Sequence, residues 1–263
     1  MLVRTWNVFH GNAKPPVRRG FLEEAVRLAT VDRPDVVCLQ ELPVWSLARL
    51  EGWSDMRAFG AVASRPSLRS AEVGRVVTQR HQGLLRSAVT GQANAILLAR
   101  KLRVLGESSI VLNPLSFRRA QGRALGLDRR VRLAWAKERR VCQAVRLDTG
   151  DRILTVANLH ASSVRDRRCQ DAELLRAAVF ADAFAEPGDA LLLAGDFNVV
   201  IGQSTTLERL ASPEWGFSDP ISGLDQILVR GAPVSRPERW PEERRRVEGR
   251  LLSDHAPVEA RIG

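Results

Sequence analysis

The chain has 263 residues, 44% of them hydrophobic, with a mean hydropathy of -0.16, which is the composition of a folded globular protein rather than a disordered one. Its longest apolar runs, such as the five residues 190–194, fall far short of a membrane-spanning helix, so no membrane partner is expected. The net charge is +10, and a strong positive field favours polyanions.

Of the 40 basic residues, 37 are arginine, with lysine only at Lys14, Lys101 and Lys137. Codon bias accounts for arginine over lysine but not for the surplus of base over acid. The 3 cysteines, Cys38, Cys142 and Cys169, form no CxxC pair, which argues against a disulfide framework and a thiolate zinc site. The chain opens on Leu2-Val3-Arg4-Thr5-Trp6 with no secretory pattern, so a cytoplasmic protein is expected. No protein partner can be inferred.

The alternating stretch Leu2 to Phe9 predicts a first strand. Leu22, Ala25, Val26 and Ala29 recur at helical spacing within 21–30, and Val36 to Leu39 is a short continuous apolar strand. Residues 60–92 give no clear pattern beyond a loop at 64–70 followed by a weak helical repeat. Asn94 to Leu98 and Arg103 to Leu112 predict two more strands. Residues 141–147 and 152–159 flank Asp148-Thr149-Gly150-Asp151, a hairpin signal. A helix is expected over 167–185, with Leu174, Leu175, Ala178 and Phe184 on its apolar face. Buried strands follow at 190–194, 225–229 and 258–262. There is no internal repeat or linker, so a single domain spanning 1–263 is expected.

One segment differs from the rest. Residues 113–140 hold 8 Arg and 1 Lys against 1 Asp and 1 Glu, a local charge of +7. We read it as a basic insertion, loop or helix, in which Arg118, Arg119, Arg129 and Arg130 grip a nucleic-acid backbone. Trp6 and Trp53 read as core. Trp135 and Trp240 could stack on a base but are expected to pack under loops. The run Arg244-Arg245-Arg246, beside Glu242 and Glu243, reads as a solvated face.

Polar residues close apolar strands at five places: Asn7; Glu41; Asn158 and His160; Asp196 and Asn198; Asp254 and His255. Carboxylate and amide oxygens are hard ligands, so such a set suits Mg²⁺ or Mn²⁺ together with phosphate oxygens. Two of the four histidines lie within these motifs, where an imidazole can move a proton or donate to phosphate.

Thr5-Trp6-Asn7-Val8, Leu39-Gln40-Glu41, Asn158-Leu159-His160, Gly195-Asp196-Phe197-Asn198, Leu224-Asp225-Gln226-Ile227-Leu228 and Ser253-Asp254-His255-Ala256-Pro257-Val258 occur in this order. The set resembles the endonuclease/exonuclease/phosphatase superfamily. The resemblance implies a four-layered α/β sandwich, in which two packed, mixed, mostly antiparallel sheets are flanked by helices. It implies Glu41 as the main metal ligand, with Asn7 and Asp254 beside the same ion. Asp196 would orient or deprotonate the attacking water, and Asn198 would hold the phosphate or a second metal. Asp225 would pair with His255 as base or phosphate clamp. His160 would contact non-bridging oxygens or protonate the leaving oxygen, and Asn94 and Asn158 would lie at the substrate. For Asn94, bonding to backbone is an equal alternative.

There are departures from the family pattern. The chain has no tyrosine, so the active-site tyrosine of AP endonucleases is missing, and Gln226 stands where relatives often carry His or Tyr. The leading expectation is a metal-dependent nuclease or phosphodiesterase with DNA or RNA as substrate. A small-molecule or lipid-headgroup phosphatase is the alternative within the class. A catalytically inactive nucleic-acid-binding module is the alternative from another class, and it would have lost Glu41, Asp196 or His255.

Overall fold

The central strands form where apolar runs can be buried on both faces, as over Val36–Leu42, Gln92–Leu98 and Ala190–Asp196. The computed structural model describes residues 1–17, 19–65 and 90–263. The loop expected over 64–70 lies outside these residues from 66 onward, as does the weak helical repeat after it, while Ser64 itself closes a strand. Among the described residues no helix is long and apolar enough to cross a membrane. The chain divides into two compact units, residues 1–103 with 234–263, and residues 104–233.

The first unit is built on strands β1 (Leu2–Asn7), β3 (Val36–Leu42), β4 (Arg57–Ser64), β5 (Gln92–Leu98), β11 (Glu238–Arg239) and β14 (Val258–Arg261). They form one sheet in the order β11-β14-β1-β3-β5-β4. Only β1 and β3 pair in parallel, Asn7 lying opposite Gln40. A small three-stranded sheet joins β2 (Ala13–Lys14), β12 (Arg246–Val247) and β13 (Arg250–Leu252). Helices α1 (Leu22–Thr30) and α2 (Leu50–Ser54) complete the unit. In α1 the residues Leu22, Ala25, Val26 and Ala29 are buried, as their spacing requires. They join Trp6, Leu39, Leu42 and Leu97 in the unit's core.

The second unit carries a five-stranded sheet of β6 (Arg103–Val111), β7 (Val141–Asp148), β8 (Ile153–His160), β9 (Ala190–Asp196) and β10 (Asp225–Arg230), in the order β10-β9-β8-β7-β6. Here β8 and β9 are the parallel pair, while β7–β8 and β9–β10 run antiparallel. The basic segment folds as two helices, α3 (Leu115–Ala124) and α4 (Arg129–Lys137). Asp128 caps α4 by accepting from the Val131 amide at 2.8 Å. Helices α5 (Arg168–Phe184) and α6 (Thr205–Leu210) follow. Leu174, Ala177, Ala178 and Ala181 of α5 pack with Leu159, Leu191, Leu193 and Phe197. The result is the expected α/β architecture of mixed, mostly antiparallel sheets flanked by helices.

The aromatic readings resolve plainly. Trp6 is fully buried, and Trp53 is half-buried against the first unit's core. Trp135 is fully buried and donates from Nε1 to Glu173 at 2.5 Å. Trp240 lies between the guanidinium groups of Arg4 and Arg244, 4.3 and 3.7 Å from its ring centroid. Neither ring is presented to a base. The run 244–246 is not wholly solvated: Arg244 and Arg246 are exposed, but Arg245 is buried. Carbonyl groups line the path of its side chain, which is why a charge can be held there.

Gly195 shows how tightly β8 and β9 are fitted. Its φ is +140°, and a Cβ there would lie 1.9 Å from the Leu159 carbonyl oxygen. Gly195→Ala should therefore cost at least about 3 kcal/mol or abolish folding, since both backbone strain and a hard clash oppose it. Urea unfolding of the purified variant checks this, and wild-type stability would show that the strand pair does not need the glycine.

Candidate active site

In the first unit, the parallel register of β1 and β3 sets the ends of the two strands side by side. Asn7 is buried, and its Oδ1 accepts from the Phe9 amide at 3.0 Å. Pairing of β3 with β5 shifts between Leu39 and Leu42, so Gln40 and Glu41 bulge opposite Asn94. Glu41 takes the left-handed conformation, φ 56°. Bulges of this kind re-aim a side chain, and here the one re-aimed is the carboxylate expected to bind metal. The His10 Nε2 lies 3.8 Å from the Glu41 carboxylate.

Asp254 and His255 sit on a turn that the unit fastens at several points. The Ser253 hydroxyl donates to the Asn7 carbonyl at 2.7 Å, which draws this turn to the end of β1. Ser253 has φ 58°, and its amide donates to the Asn12 carbonyl at 2.9 Å. The His255 carbonyl accepts from Trp6 Nε1 at 2.9 Å and from Arg245 Nη1 at 3.0 Å. The same Arg245 nitrogen reaches the carbonyls of Leu252 and Ser253 at 3.3 and 3.2 Å. Lys14 Nζ stands 3.8 Å from the Asp254 carboxylate. Asn7, Glu41 and Asp254 offer only oxygen donors, and the backbone ties above bring the ends of β1, β3 and the Ser253 turn together. That donor chemistry fits a hard divalent cation.

In the second unit, three neighbouring strands end in polar side chains. His160 of β8 is in register with Asp196 of β9, and Asp196 with Asp225 of β10. All three are buried. His160 Nε2 lies 3.5 Å from Asp196 Oδ2. On the other side of the ring, Arg140 Nη1 meets His160 Nδ1 at 3.3 Å. A guanidinium can only donate, so the contact favours Nδ1 as the acceptor and the tautomer with its ring proton on Nε2, toward Asp196. Glu138 holds Arg140 in turn, at 2.6 Å. Asn198, with φ 52°, donates from its side chain to the Ala161 carbonyl at 3.0 Å. Its backbone amide donates to Asp196 Oδ1 at 3.1 Å. Asn158 is fully buried within β8.

A buried acid supports this row. Glu173 of α5 has no exposed surface and accepts from the Ser162 amide and hydroxyl at 2.6 and 2.7 Å. It also accepts from Trp135 Nε1 and from Asn113 Nδ2, the latter at 2.8 Å. Burial pushes its carboxyl pKa up against the opposing effect of Ser162, Trp135 and Arg140. Through Glu173 the helices α3 and α4 are fastened to the segment that follows His160.

Of the basic residues expected at the substrate, Arg118 and Arg119 line a groove beside Arg123 and Arg132. Arg129 and Arg130 are exposed on the first turn of α4 and are not part of that lining. Sequence reasoning did not single out His10, Lys14, Arg140 or Arg245. His10 follows the Asn7 motif by three positions, and Arg140 is the last base before the apolar run of β7. Those placements are the only signals either residue gives.

The family model described as Endonuclease/Exonuclease/phosphatase family matches residues 5–255. A search of curated proteins finds no match. Among solved structures, a functionally unknown conserved protein from Enterococcus faecalis V583 is similar with a TM-score of 0.68 at 15% identity, over 100% of this chain and 99% of that one. TDP2 of D. rerio, humanised by 14 mutations, gives 0.62 at 14% identity over 100% and 98%. The catalytic domain of human Nocturnin, solved with bound sulfate, gives 0.62 at 14% identity over 100% and 93%. At these identities the likeness is one of fold. The family model spans both units and every strand-end motif but the last few residues, and on that ground the chain belongs to the endonuclease/exonuclease/phosphatase family, whose members are phosphoester hydrolases that typically depend on a divalent metal.

Proposed function

We propose that the chain is a Mg²⁺- or Mn²⁺-dependent phosphodiesterase that hydrolyses nucleic acid, with residues 1–263 as a single catalytic domain. The observation that carries the reading is the row His160, Asp196 and Asp225 at three adjacent strand ends, with Arg140 set against His160 Nδ1. A bound metal would neutralise charge on the phosphate, with Glu41 as its main ligand and Asn7 and Asp254 beside it.

The chain's own groups then do the following. Asp196 orients a water and accepts its proton as the water oxygen attacks phosphorus in line. The P–O bond opposite breaks, His160 donates a hydrogen bond from Nε2 to a non-bridging oxygen, and the departing oxygen takes its proton from water. Asn198 and Asn94 position the phosphate, and Asn158 supports it from within β8. Asp225 and His255 serve the same step as base or clamp. The +7 segment 113–140 favours a polyanion over a single phosphate. The three cysteines are free and buried, which suits a reducing compartment, and we assign the activity to the cytoplasm.

A substrate panel tests the class: single-stranded and duplex DNA, RNA, abasic duplex, inositol phosphates and bis(p-nitrophenyl) phosphate, each with Mg²⁺, Mn²⁺ or EDTA. Metal-dependent cleavage of a nucleic acid is expected, abolished by EDTA. Turnover of inositol phosphates alone would replace this reading with a small-molecule phosphatase. Asp196→Asn and His255→Ala should each lower kcat by about 10²–10⁴ with the fold intact, and Asp225→Asn should lower it less. Near-normal turnover in folded Asp196→Asn would remove Asp196 from the chemistry.

Arg140→Met tests the tautomer. In the wild type, ¹⁵N NMR should show His160 Nδ1 unprotonated, and the variant should show a mixture of tautomers with reduced kcat at little-changed KM. A wild-type ring protonated on Nδ1 would contradict the assignment.

A further inference from the structure

Helices α3 and α4 enclose a groove of ≈ 500 Å³ lined by Leu115, Arg118, Arg119, Arg123, Arg132 and Ala136. Four guanidinium groups therefore border one concavity, with no carboxylate in its lining. Among the described residues, no ion pair involves any of these four arginines. Elsewhere in the same unit arginines sit on acids: Arg146 on Asp189 at 2.7 Å and Arg168 on Asp166 at 2.7 Å. Arg123 uses its Nε on the Arg119 carbonyl at 3.3 Å. The Arg118 Nε is buried and meets no hydrogen-bond partner, and an unmet buried donor is costly. Burial and the neighbouring Arg139 push the Arg118 pKa down while Glu173 acts the other way, and an anion in the groove would add to the effect of Glu173. Gly122 leaves room for Arg132 to lie across α3, since a Cβ there would come within 2.9 Å of the Arg132 side chain.

We infer that this groove is a binding site for single-stranded polynucleotide, separate from the strand-end residues, with arginines on successive phosphates and Leu115 and Ala136 against a base or sugar. The volume exceeds what one phosphate fills and falls in the range of nucleotide-sized ligands. Guanidinium planes take both phosphate oxygens and base faces. Leu115 is 53% exposed, an apolar contact that a bare row of duplex phosphates would not use. The hairpin is fastened through Trp135, Asn113 and Glu173 to Ser162, two residues beyond His160. A strand in the groove is thereby held on the same scaffold as that histidine. This inference deepens the nucleic-acid reading above and rests on it.

The test is fluorescence anisotropy with a labelled dT12 strand and a labelled duplex of the same length, in EDTA, across a salt series. Two variants are compared: Arg118→Gln/Arg119→Gln/Arg132→Gln, within the groove, and Arg129→Gln/Arg130→Gln, exposed outside it. Circular dichroism and thermal melting confirm that both fold. The groove variant should lose at least tenfold in affinity for dT12. Its salt dependence should flatten by about 2 in log Kd per log salt, for three lost single-strand contacts. The outer variant should change affinity less than threefold. Equal losses in both variants would overturn the site in favour of diffuse surface charge, and duplex binding as tight as dT12 would overturn the single-strand assignment. Hydrolysis of bis(p-nitrophenyl) phosphate with Mn²⁺ is measured on the wild type as the separate readout of the phosphoesterase reading. If hydrolysis persists while dT12 fails to bind the wild type, the groove is refuted and the phosphoesterase reading stands.

Discussion

The parallel pairing of β8 with β9 is the constraint on which the second unit turns. It brings the Leu159 carbonyl so close to Gly195 that no side chain fits between them. That contact fixes the register, and the register aligns His160 with Asp196. The antiparallel pairing of β9 with β10 then aligns Asp196 with Asp225. A one-residue slip would send each of these side chains to the opposite face of the sheet. The chemistry is therefore set by backbone hydrogen bonds laid down along the apolar runs. The first unit reaches a comparable result with different means: a bulge at Gln40–Glu41 and a turn pinned by Ser253 and Arg245.

Charge is managed by the same logic throughout. Arg140 and Arg245 are buried, yet each spends its donors on groups that orient a site residue: the ring of His160 and the carbonyl of His255. Glu173 is buried as well, and its four donors bind the basic hairpin to the segment after His160. Buried ions hold geometry at the cost of desolvation. The groove arginines are the opposite case, cations gathered on one concavity with no ion pair to any of them among the described residues.

Much of this was legible in the sequence because burial writes itself as hydrophobic periodicity. The strands over 141–147, 152–159, 190–194, 225–229 and 258–262 were expected within a residue or two of where they lie, and so was α1. The first strand was expected to run to Phe9 but ends at Asn7, where Phe9 begins a one-turn helix with positive φ. β4 escaped notice because Gly60 and three alanines give its alternation little contrast. The two- and three-residue strands β2, β12 and β13 are too short to carry a period at all. At the site, the motifs marked the residues at strand ends, since a polar side chain closing an apolar run stands out. Arg245 did not stand out, because its neighbours Arg244 and Arg246 are exposed and a run of like charges looks solvated. Its burial depends on carbonyls of 252–255, which no local pattern announces.

The oxygen donors of the first unit are proposed to hold a hard divalent ion for use on a phosphoester. Mn²⁺ titration followed by electron paramagnetic resonance, on the wild type and on Glu41→Gln, tests this without reference to turnover. The account predicts a saturable Mn²⁺ site in the wild type and an affinity at least tenfold weaker in Glu41→Gln, with the melting temperature of the metal-free proteins unchanged. Equal Mn²⁺ affinity in the two proteins would contradict it.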